Sequence, residues 1–227
     1  MDERWIVFGG WAFNPEILKL LFGEKSVYID INSIMNEIIT IDQTFVSDWP
    51  KRIAGRYSNF YTDNTLIAGW SSGAMIAYAV SSIIKCSASV LISPTLSFCR
   101  RDKYHFGCKP SLLQSMRQGL QSNKKEVLER FASRCGMDLH SFSVCSQEEL
   151  ENGLYFLEFA DLRNVKPSLS PILVLHGSND VIVPPDAGKY LSIHAGGVFK
   201  EFDGPHAFFI NMYEPARREI SSLLQRL

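Results

Sequence analysis

The sequence lacks the features that would direct a protein to nucleic acids or to membranes. Its 23 Lys and Arg residues are balanced by 24 Asp and Glu residues, whereas proteins that bind nucleic acids or membrane surfaces through charge carry a clear positive excess. No apolar run approaches the roughly 20 residues that span a bilayer, and no signal peptide is evident at the start. We therefore expect a cytoplasmic protein that binds neither nucleic acids nor membranes.

Cysteine occurs five times, an odd number, with no C-x-x-C pair and no spacing typical of metal ligands. The five are Cys86, Cys99, Cys108, Cys135 and Cys145. None lies in a turn that would expose and activate a thiolate, so we expect reduced, partly buried thiols. The sequence predicts no metal and no cofactor.

Six short apolar segments predict buried strands. They are Trp5 to Phe8, Val27 to Ile31, Thr65 to Ala68, Ser89 to Ile92, Ile172 to Leu175 and Val198 to Phe202. Near-continuous Val, Ile and Leu is typical of parallel strands that are covered on both faces. Helices are predicted between them, over residues 14–23, 49–57 and 72–84 and from Glu214 onward. This alternation indicates an α/β protein with a mostly parallel sheet and helices on both faces.

Residues 97–164 interrupt the alternation. Their apolar residues follow a helical spacing, as in Leu112, Leu113, Met116 and Leu120, and they contain no convincing strand. The sequence therefore predicts one core, formed by residues 1–96 and 165–227, with residues 97–164 inserted as a helical lid.

The segment Gly69-Trp70-Ser71-Ser72-Gly73 follows a predicted strand and precedes a predicted helix. A G-x-S-x-G sequence in this setting is typical of a nucleophile elbow, a turn so tight that the neighbours of the serine must be small. Ser71 is the predicted nucleophile, and Trp70 beside it is a candidate substrate contact. The alternative is an ordinary turn serine.

A serine hydroxyl needs a base to take its proton. Of the five histidines, only His206 lies in a loop between the last predicted strand and the last predicted helix. Loops at the carboxyl ends of parallel strands converge on one edge of the sheet, which lets His206 approach Ser71. His176 directly follows a strand and is predicted to serve the turn. The other three are His105, His140 and His194, and none lies in a catalytic pattern.

The histidine also needs a carboxylate that holds its tautomer. Asp180 lies in the loop after the strand Ile172 to Leu175, and the order Ser71, Asp180, His206 is the order found in this arrangement. Asp203, three residues before His206, is the competitor, although an aspartate beside a glycine is also typical of a turn.

Charge that develops on the substrate oxygen needs two N–H donors, an oxyanion hole. The residue after the nucleophile, Ser72, supplies one. The loop that follows the first strand begins with Gly9 and Gly10, which allow a sharp turn, and we assign the second donor to Trp11. The Trp11 ring is also suited to packing under the lid.

These segments, together with Leu175-His176-Gly177-Ser178-Asn179-Asp180, resemble the α/β-hydrolase carboxylesterases of biotin synthesis, which remove the methyl ester from pimeloyl-acyl carrier protein. The resemblance implies the α/β-hydrolase fold, the triad Ser71, Asp180 and His206, and Trp11 and Ser72 as oxyanion donors. Because the first strand begins at Trp5, the antiparallel strands that usually precede it are expected to be missing. Gly9 stands where such enzymes usually have a histidine.

The predicted lid is strongly basic in its first half, where residues 100–134 hold nine Lys and Arg against three Asp and Glu. Such a patch would attract an acidic partner such as acyl carrier protein, although an ordinary solvated helix face would look similar. The candidate partner-binding residues are Arg117, Lys124, Arg130 and Arg134.

The predicted function is hydrolysis of an acyl ester through an acyl-enzyme, with pimeloyl-acyl carrier protein methyl ester as the preferred substrate. A general carboxylesterase, a thioesterase and a carbon–carbon bond hydrolase would use the same triad. A non-catalytic binding protein on a hydrolase scaffold is a further alternative.

Overall fold

A computed structural model describes residues 3–40 and 44–227 and contains one six-stranded sheet in the order β2-β1-β3-β4-β5-β6. All pairings between the described strands are parallel. The strands are β1 (Trp5–Phe8), β2 (Val27–Ile29), β3 (Leu66–Trp70), β4 (Ala88–Ile92), β5 (Ile172–Gly177) and β6 (Val198–Phe202). The predicted α/β class with a mostly parallel sheet is confirmed.

Helices cover both faces of the sheet. They are α1 (Lys19–Phe22), α2 (Met35–Ile38), α3 (Trp49–Arg56), α4 (Ser72–Ser81), α5 (Pro110–Cys135), α6 (Gln147–Phe159), α7 (Pro185–His194) and α8 (Tyr213–Leu224). The helix predicted over residues 14–23 begins as a 3-10 turn, Pro15–Leu18, capped by Asn14 and continued by α1. Among the described residues, no helix is both long enough and apolar enough to cross a membrane.

The strands alternate their side chains between two apolar clusters because successive residues point to opposite faces. Ile6 and Ile67 pack with residues of α3 and α4, whereas Val7 and Ala68 pack with residues of α1 and α8. Every residue of β1, β3, β4 and β5 is buried, while β6 at the sheet edge is partly exposed. Burial on both faces explains why the central strands consist of almost continuous apolar residues in the sequence.

The segment between β4 and β5 carries α5 and α6. Helix α5 is broken at Asn123, whose φ of -154° and ψ of 76° are not helical, so its two halves fold against each other. A Cβ atom on Gly119 would lie 2.7 Å from Val127 of the second half. The segment leaves and rejoins the core at one place, because Ser97 pairs with Asp161 and the Leu162 N–H donates to the Leu96 carbonyl at 2.8 Å. We call residues 97–164 the inserted segment.

An ion pair joins the two long helices of the inserted segment. The Arg117 guanidinium on α5 lies 2.6 Å from the Glu158 carboxylate on α6, and both side chains are only 11% exposed. The guanidinium also lies 4.1 Å from the centroid of the Tyr155 ring. Arg117 was predicted to bind a partner, but the structure corrects this, because its charge is already used inside the segment.

We expect Arg117→Ala to lower the free energy of unfolding by about 3 kcal/mol, because it leaves the Glu158 carboxylate buried without its cation. Urea unfolding followed by circular dichroism measures this. Arg130→Ala is the matched control, because Arg130 pairs with Glu126 on the exposed face of the same helix. Exposed pairs of this spacing contribute no more than about 0.5 kcal/mol. Equal losses in the two variants would contradict the structural role of Arg117.

Candidate active site

Ser71 lies at the junction of β3 and α4 in a strained backbone conformation. Its φ of 58° and ψ of -122° are unusual for a residue with a side chain, and strain of this kind costs about 1–3 kcal/mol. The Ser71 N–H donates to the Ile92 carbonyl at 2.9 Å, and its own carbonyl accepts the N–H of Ala74 at 2.9 Å as α4 begins. These bonds hold the turn, and the Ser71 residue is 8% exposed.

Two glycines make this turn possible. A Cβ atom on Gly69 would collide with the backbone of Gly73, and a Cβ atom on Gly73 would collide with the backbones of Phe8 and Gly9. Helix α4 therefore starts in direct contact with both β3 and the end of β1. This contact brings the loop after β1 next to Ser71.

His206 and Asp180 form a buried pair. The Nδ1 atom of His206 lies 2.6 Å from Oδ2 of Asp180, and both side chains are fully buried. Because an ionised carboxylate only accepts hydrogen bonds, Nδ1 carries the proton and donates it. The Nε2 atom of His206 is buried and has no hydrogen-bond partner among the described residues, so it is free to accept a proton.

The other carboxylate oxygen of Asp180 accepts two backbone N–H groups, from Ile182 at 2.8 Å and from Val183 at 2.9 Å. Burial by itself raises the pKa of Asp180, but its interactions with His206 and His176 outweigh burial and hold the pKa below the usual range. The carboxylate therefore stays ionised. Asp203, the competitor, is exposed and accepts a hydrogen bond from the Asn179 side chain at 3.1 Å.

His176 is a site residue that the sequence reasoning missed. It was predicted to serve the turn, but it lies in β5 with its Nε2 atom 3.2 Å from Oδ2 of Asp180 and 2.9 Å from the Val183 carbonyl. Both neighbours are acceptors, so Nε2 carries a proton, and Asp180 is flanked by two histidines. The signal in the sequence was the four-residue spacing from His176 to Asp180 directly after an apolar strand.

Trp70 supports the His206 loop and is buried. Its indole N–H donates to the His206 carbonyl at 3.2 Å, and the Ser93 hydroxyl donates to the same carbonyl at 3.1 Å. The Trp70 residue is 1% exposed and also packs against Phe13 and Phe209. The prediction of a direct substrate contact for Trp70 is therefore corrected, since its side chain is enclosed by protein.

The two predicted oxyanion donors lie next to each other. The Trp11 N–H donates to the Ser72 hydroxyl at 2.9 Å, and Ser72 is the first residue of α4, where the backbone N–H has no partner within the helix.

Asn32 is a second residue of the site that the sequence did not predict. Its buried side chain holds the loop of Trp11, because it accepts the Ala12 N–H at 3.0 Å. Asn32 is itself held by Asp30, whose carboxylate accepts its amide at 2.7 Å.

Two adjacent cavities lie near the oxyanion loop and share part of their lining. An apolar cavity of about 130 Å³ is lined by Trp11, Leu154, Val181 and Ile182, which flank the oxyanion loop and Asp180. An outer groove of about 330 Å³ runs along both halves of α5 and contains Gly119. The lining residues common to both are Leu112, Met116, Phe131 and Arg134.

The remaining basic candidates differ in their surroundings. The Lys124 ammonium donates to the Cys145 carbonyl at 2.6 Å, so its charge is partly engaged within the inserted segment. Arg130 is exposed beside Glu126 and lines the outer groove. Arg134 is exposed, lines both cavities and donates to the Val181 carbonyl at 3.4 Å. Arg130 and Arg134 are thus the predicted partner-binding residues nearest to the cavity mouth.

We expect Asp180→Asn to remove a stabilisation that depends on pH. Because the folded-state pKa of Asp180 is lowered, its carboxylate stabilises the protein above its unfolded pKa of about 3.9, and this stabilisation is lost as pH falls towards the folded pKa. The gap in unfolding free energy between wild type and variant should therefore be larger at about pH 7 than at about pH 3. For Asp203→Asn, the exposed control, the difference in unfolding free energy from wild type should not change with pH. A difference that is the same at both pH values for Asp180→Asn would refute the role of the ionised Asp180 carboxylate.

No protein-family model matches the chain. Three curated relatives share the name pimeloyl-acyl carrier protein methyl ester esterase. The protein from Nitrosomonas europaea is 29% identical over 160 residues, which cover 63% of this chain and 60% of that protein. The protein from Nitrosospira multiformis is 28% identical, and the match covers 56% of this chain and 54% of that protein. The protein from Pseudoalteromonas atlantica is 28% identical, and the match covers 80% of this chain and 77% of that protein. The first two matches thus span less than two thirds of those relatives.

Solved structures with the same architecture cover nearly the whole chain. An esterase from Exiguobacterium antarcticum superimposes with a TM-score of 0.80 at 16% identity, covering 98% of this chain and 92% of that one. A bromoperoxidase from Bacillus anthracis gives a TM-score of 0.80 at 13% identity, covering 99% and 92%. The chain thus has the α/β-hydrolase fold, and its resemblance to the pimeloyl-acyl carrier protein methyl ester esterases is confirmed by its curated relatives.

Proposed function

We propose that this protein is a serine carboxylesterase that hydrolyses an acyl ester through an acyl-enzyme. The observation that carries the proposal is the strained Ser71 turn at the carboxyl edge of the sheet that also holds the buried His206–Asp180 pair. Esterases and hydrolases among the proteins with this fold agree with the proposal, although fold by itself does not decide function.

Each group has a role in the proposed reaction. The Ser71 hydroxyl attacks the ester carbonyl while Nε2 of His206 takes its proton, and His206 then gives this proton to the departing alcohol. Water attacks the acyl-enzyme by the same route and releases the acid. Asp180 keeps its charge because its pKa is lowered, so it holds the His206 tautomer and stabilises the imidazolium that forms.

The N–H groups of Trp11 and Ser72 would donate to the oxygen that becomes negative in the transition state. Such donors are effective because they are already oriented and need no rearrangement during the reaction. The hydrogen bond from the Trp11 N–H to the Ser72 hydroxyl supports this role, because both residues then lie at the start of α4 beside Ser71. The substrate oxygen would take the place of the Ser72 hydroxyl at the Trp11 N–H.

We further propose a methyl ester of pimeloyl-acyl carrier protein as the substrate, after the name shared by the curated relatives. The apolar cavity beside Trp11 suits a short acyl chain, and the outer groove along α5 offers a path for the linker to the carrier. Arg130 and Arg134 at this path would attract an acidic carrier. Other esters, thioesters and carbon–carbon bonds are cleaved by the same triad, so the substrate needs its own test.

We expect Ser71→Ala to lower the turnover of a p-nitrophenyl ester roughly 10⁴-fold or more, because the variant has no nucleophile. A fluorophosphonate probe should label the wild type at Ser71, as located by peptide mass spectrometry, and should not label the variant. The control is Ser178→Ala, because Ser178 is an exposed serine in the loop before Asp180. This variant should keep both the ester turnover and the labelling by the probe. Labelling of another residue, or equal turnover in Ser71→Ala, would rule out this function.

We expect the double substitution Arg130→Glu with Arg134→Glu to act mainly on carrier-linked substrate. The ratio of kcat/KM for a carrier-linked methyl ester to kcat/KM for a p-nitrophenyl ester should fall about 10-fold or more, because reversed charge repels an acidic carrier. Arg117 is left out of the test because its substitution would disturb the α5–α6 packing.

Lys85→Glu is the control for charge reversal, because Lys85 is exposed after α4 and lines neither cavity. It should leave the ratio unchanged. A constant ratio in the double variant would exclude the carrier, while the esterase proposal would stand on the Ser71 result.

A further inference from the structure

The Trp11 side chain is anchored in the inserted segment. Its indole N–H donates to the Leu150 carbonyl in α6 at 2.9 Å, and its ring packs edge-on against Phe131 of α5 with centroids 4.9 Å apart. The Trp11 residue is 2% exposed. The residue whose backbone is the proposed oxyanion donor is therefore fixed through its side chain to both long helices of that segment.

Gly153 allows α6 to approach this ring. A Cβ atom on Gly153 would collide with Cδ1 of the Trp11 indole and would lie 2.7 Å from its Nε1 atom. Glycine weakens the interior of a helix relative to alanine, so its place in the middle of α6 opposes helix formation. The fit against Trp11 is the feature of the structure that requires it.

The backbone that follows Trp11 is held from two directions. From the core, Asn32 accepts the Ala12 N–H at 3.0 Å. From the inserted segment, the Ser143 N–H donates to the Ala12 carbonyl at 2.8 Å, and the Asn14 N–H donates to the Ser141 carbonyl at 2.8 Å. Two of these three hydrogen bonds therefore come from residues outside the core.

We infer that α6 orients the oxyanion donor, with Gly153 as a positioning residue that acts through the Trp11 ring. This inference rests on the proposed esterase function and extends it, because it makes the oxyanion hole depend on the docking of the inserted segment. If α6 shifts, the indole moves with it, and the Trp11 N–H turns away from the start of α4. Substrate that enters beneath the inserted segment would then be hydrolysed only after α6 has returned.

A double-mutant cycle tests the inference. Gly153→Ala should lower kcat for a p-nitrophenyl ester about 10- to 100-fold with KM changed less than about threefold, because a misplaced donor affects the transition state more than the ground state. Trp11→Ala keeps the backbone N–H and removes the ring that Gly153 contacts. In the Trp11→Ala background, Gly153→Ala should have no further effect on kcat, which is the coupling that the cycle measures.

The control is Gly55→Ala in α3, a helical glycine whose added Cβ would meet no atom within 4 Å. It should leave kcat unchanged. Thermal unfolding of each variant verifies that activity is measured on folded protein. A folded Gly153→Ala variant with wild-type kcat, or an equal loss of kcat in both backgrounds, would overturn the inference.

Trp11→Phe keeps the inference testable if Gly153→Ala does not fold. Phenylalanine retains a ring near Phe131 but lacks the N–H that donates to Leu150, so kcat should fall several-fold with little change in KM. Unchanged kcat in Trp11→Phe would overturn the inference. Failure of the esterase proposal is recognised separately, because wild type would then show no turnover that depends on Ser71.

Discussion

The tight turn between β3 and α4 is the constraint on which the rest of the site depends. It holds Ser71 at a φ of 58° and requires that α4 start against the backbones of β1 and β3. Gly69 and Gly73 are needed because any side chain there would separate the helix from the strands. The same contact brings the loop after β1 to the start of α4, so one packing requirement places the proposed nucleophile and both proposed oxyanion donors together.

The Asp180 carboxylate organises the opposite side of the site. It accepts two backbone N–H groups, contacts two histidine rings and is almost completely buried. A buried charge is stable only when it is paired and hydrogen-bonded. The interactions of Asp180 with His206 and His176 outweigh the cost of burial and lower its pKa. The carbonyl of His206 is held in addition by Trp70 and Ser93. His206 is thus fixed by Trp70 of β3, by Ser93 just after β4 and by Asp180 in the loop after β5.

The inserted segment does not only cover the core; it also contacts the loop of the proposed oxyanion donor. Its two helices are joined by the Arg117–Glu158 pair, and through Trp11 they contact the loop that carries a proposed oxyanion donor. Part of its basic charge is therefore engaged within the segment, and the surface available to an acidic partner is smaller than the count of Lys and Arg suggests. Arg130 and Arg134 remain exposed at the groove, close to the apolar cavity.

Local patterns in the sequence determined the strands, the parallel α/β class, the turn around Ser71 and the order of Ser71, Asp180 and His206, because apolar periodicity and turn chemistry involve residues that are close in the chain. The helix Pro185–His194 was not predicted. Only the tertiary structure decided that Arg117 pairs with Glu158, that Trp70 is enclosed, that Asn32 holds the loop of Trp11 and that Gly153 fits against its ring. These contacts join residues between 20 and 142 positions apart, and packing between separate elements, which no local pattern encodes, brings them together.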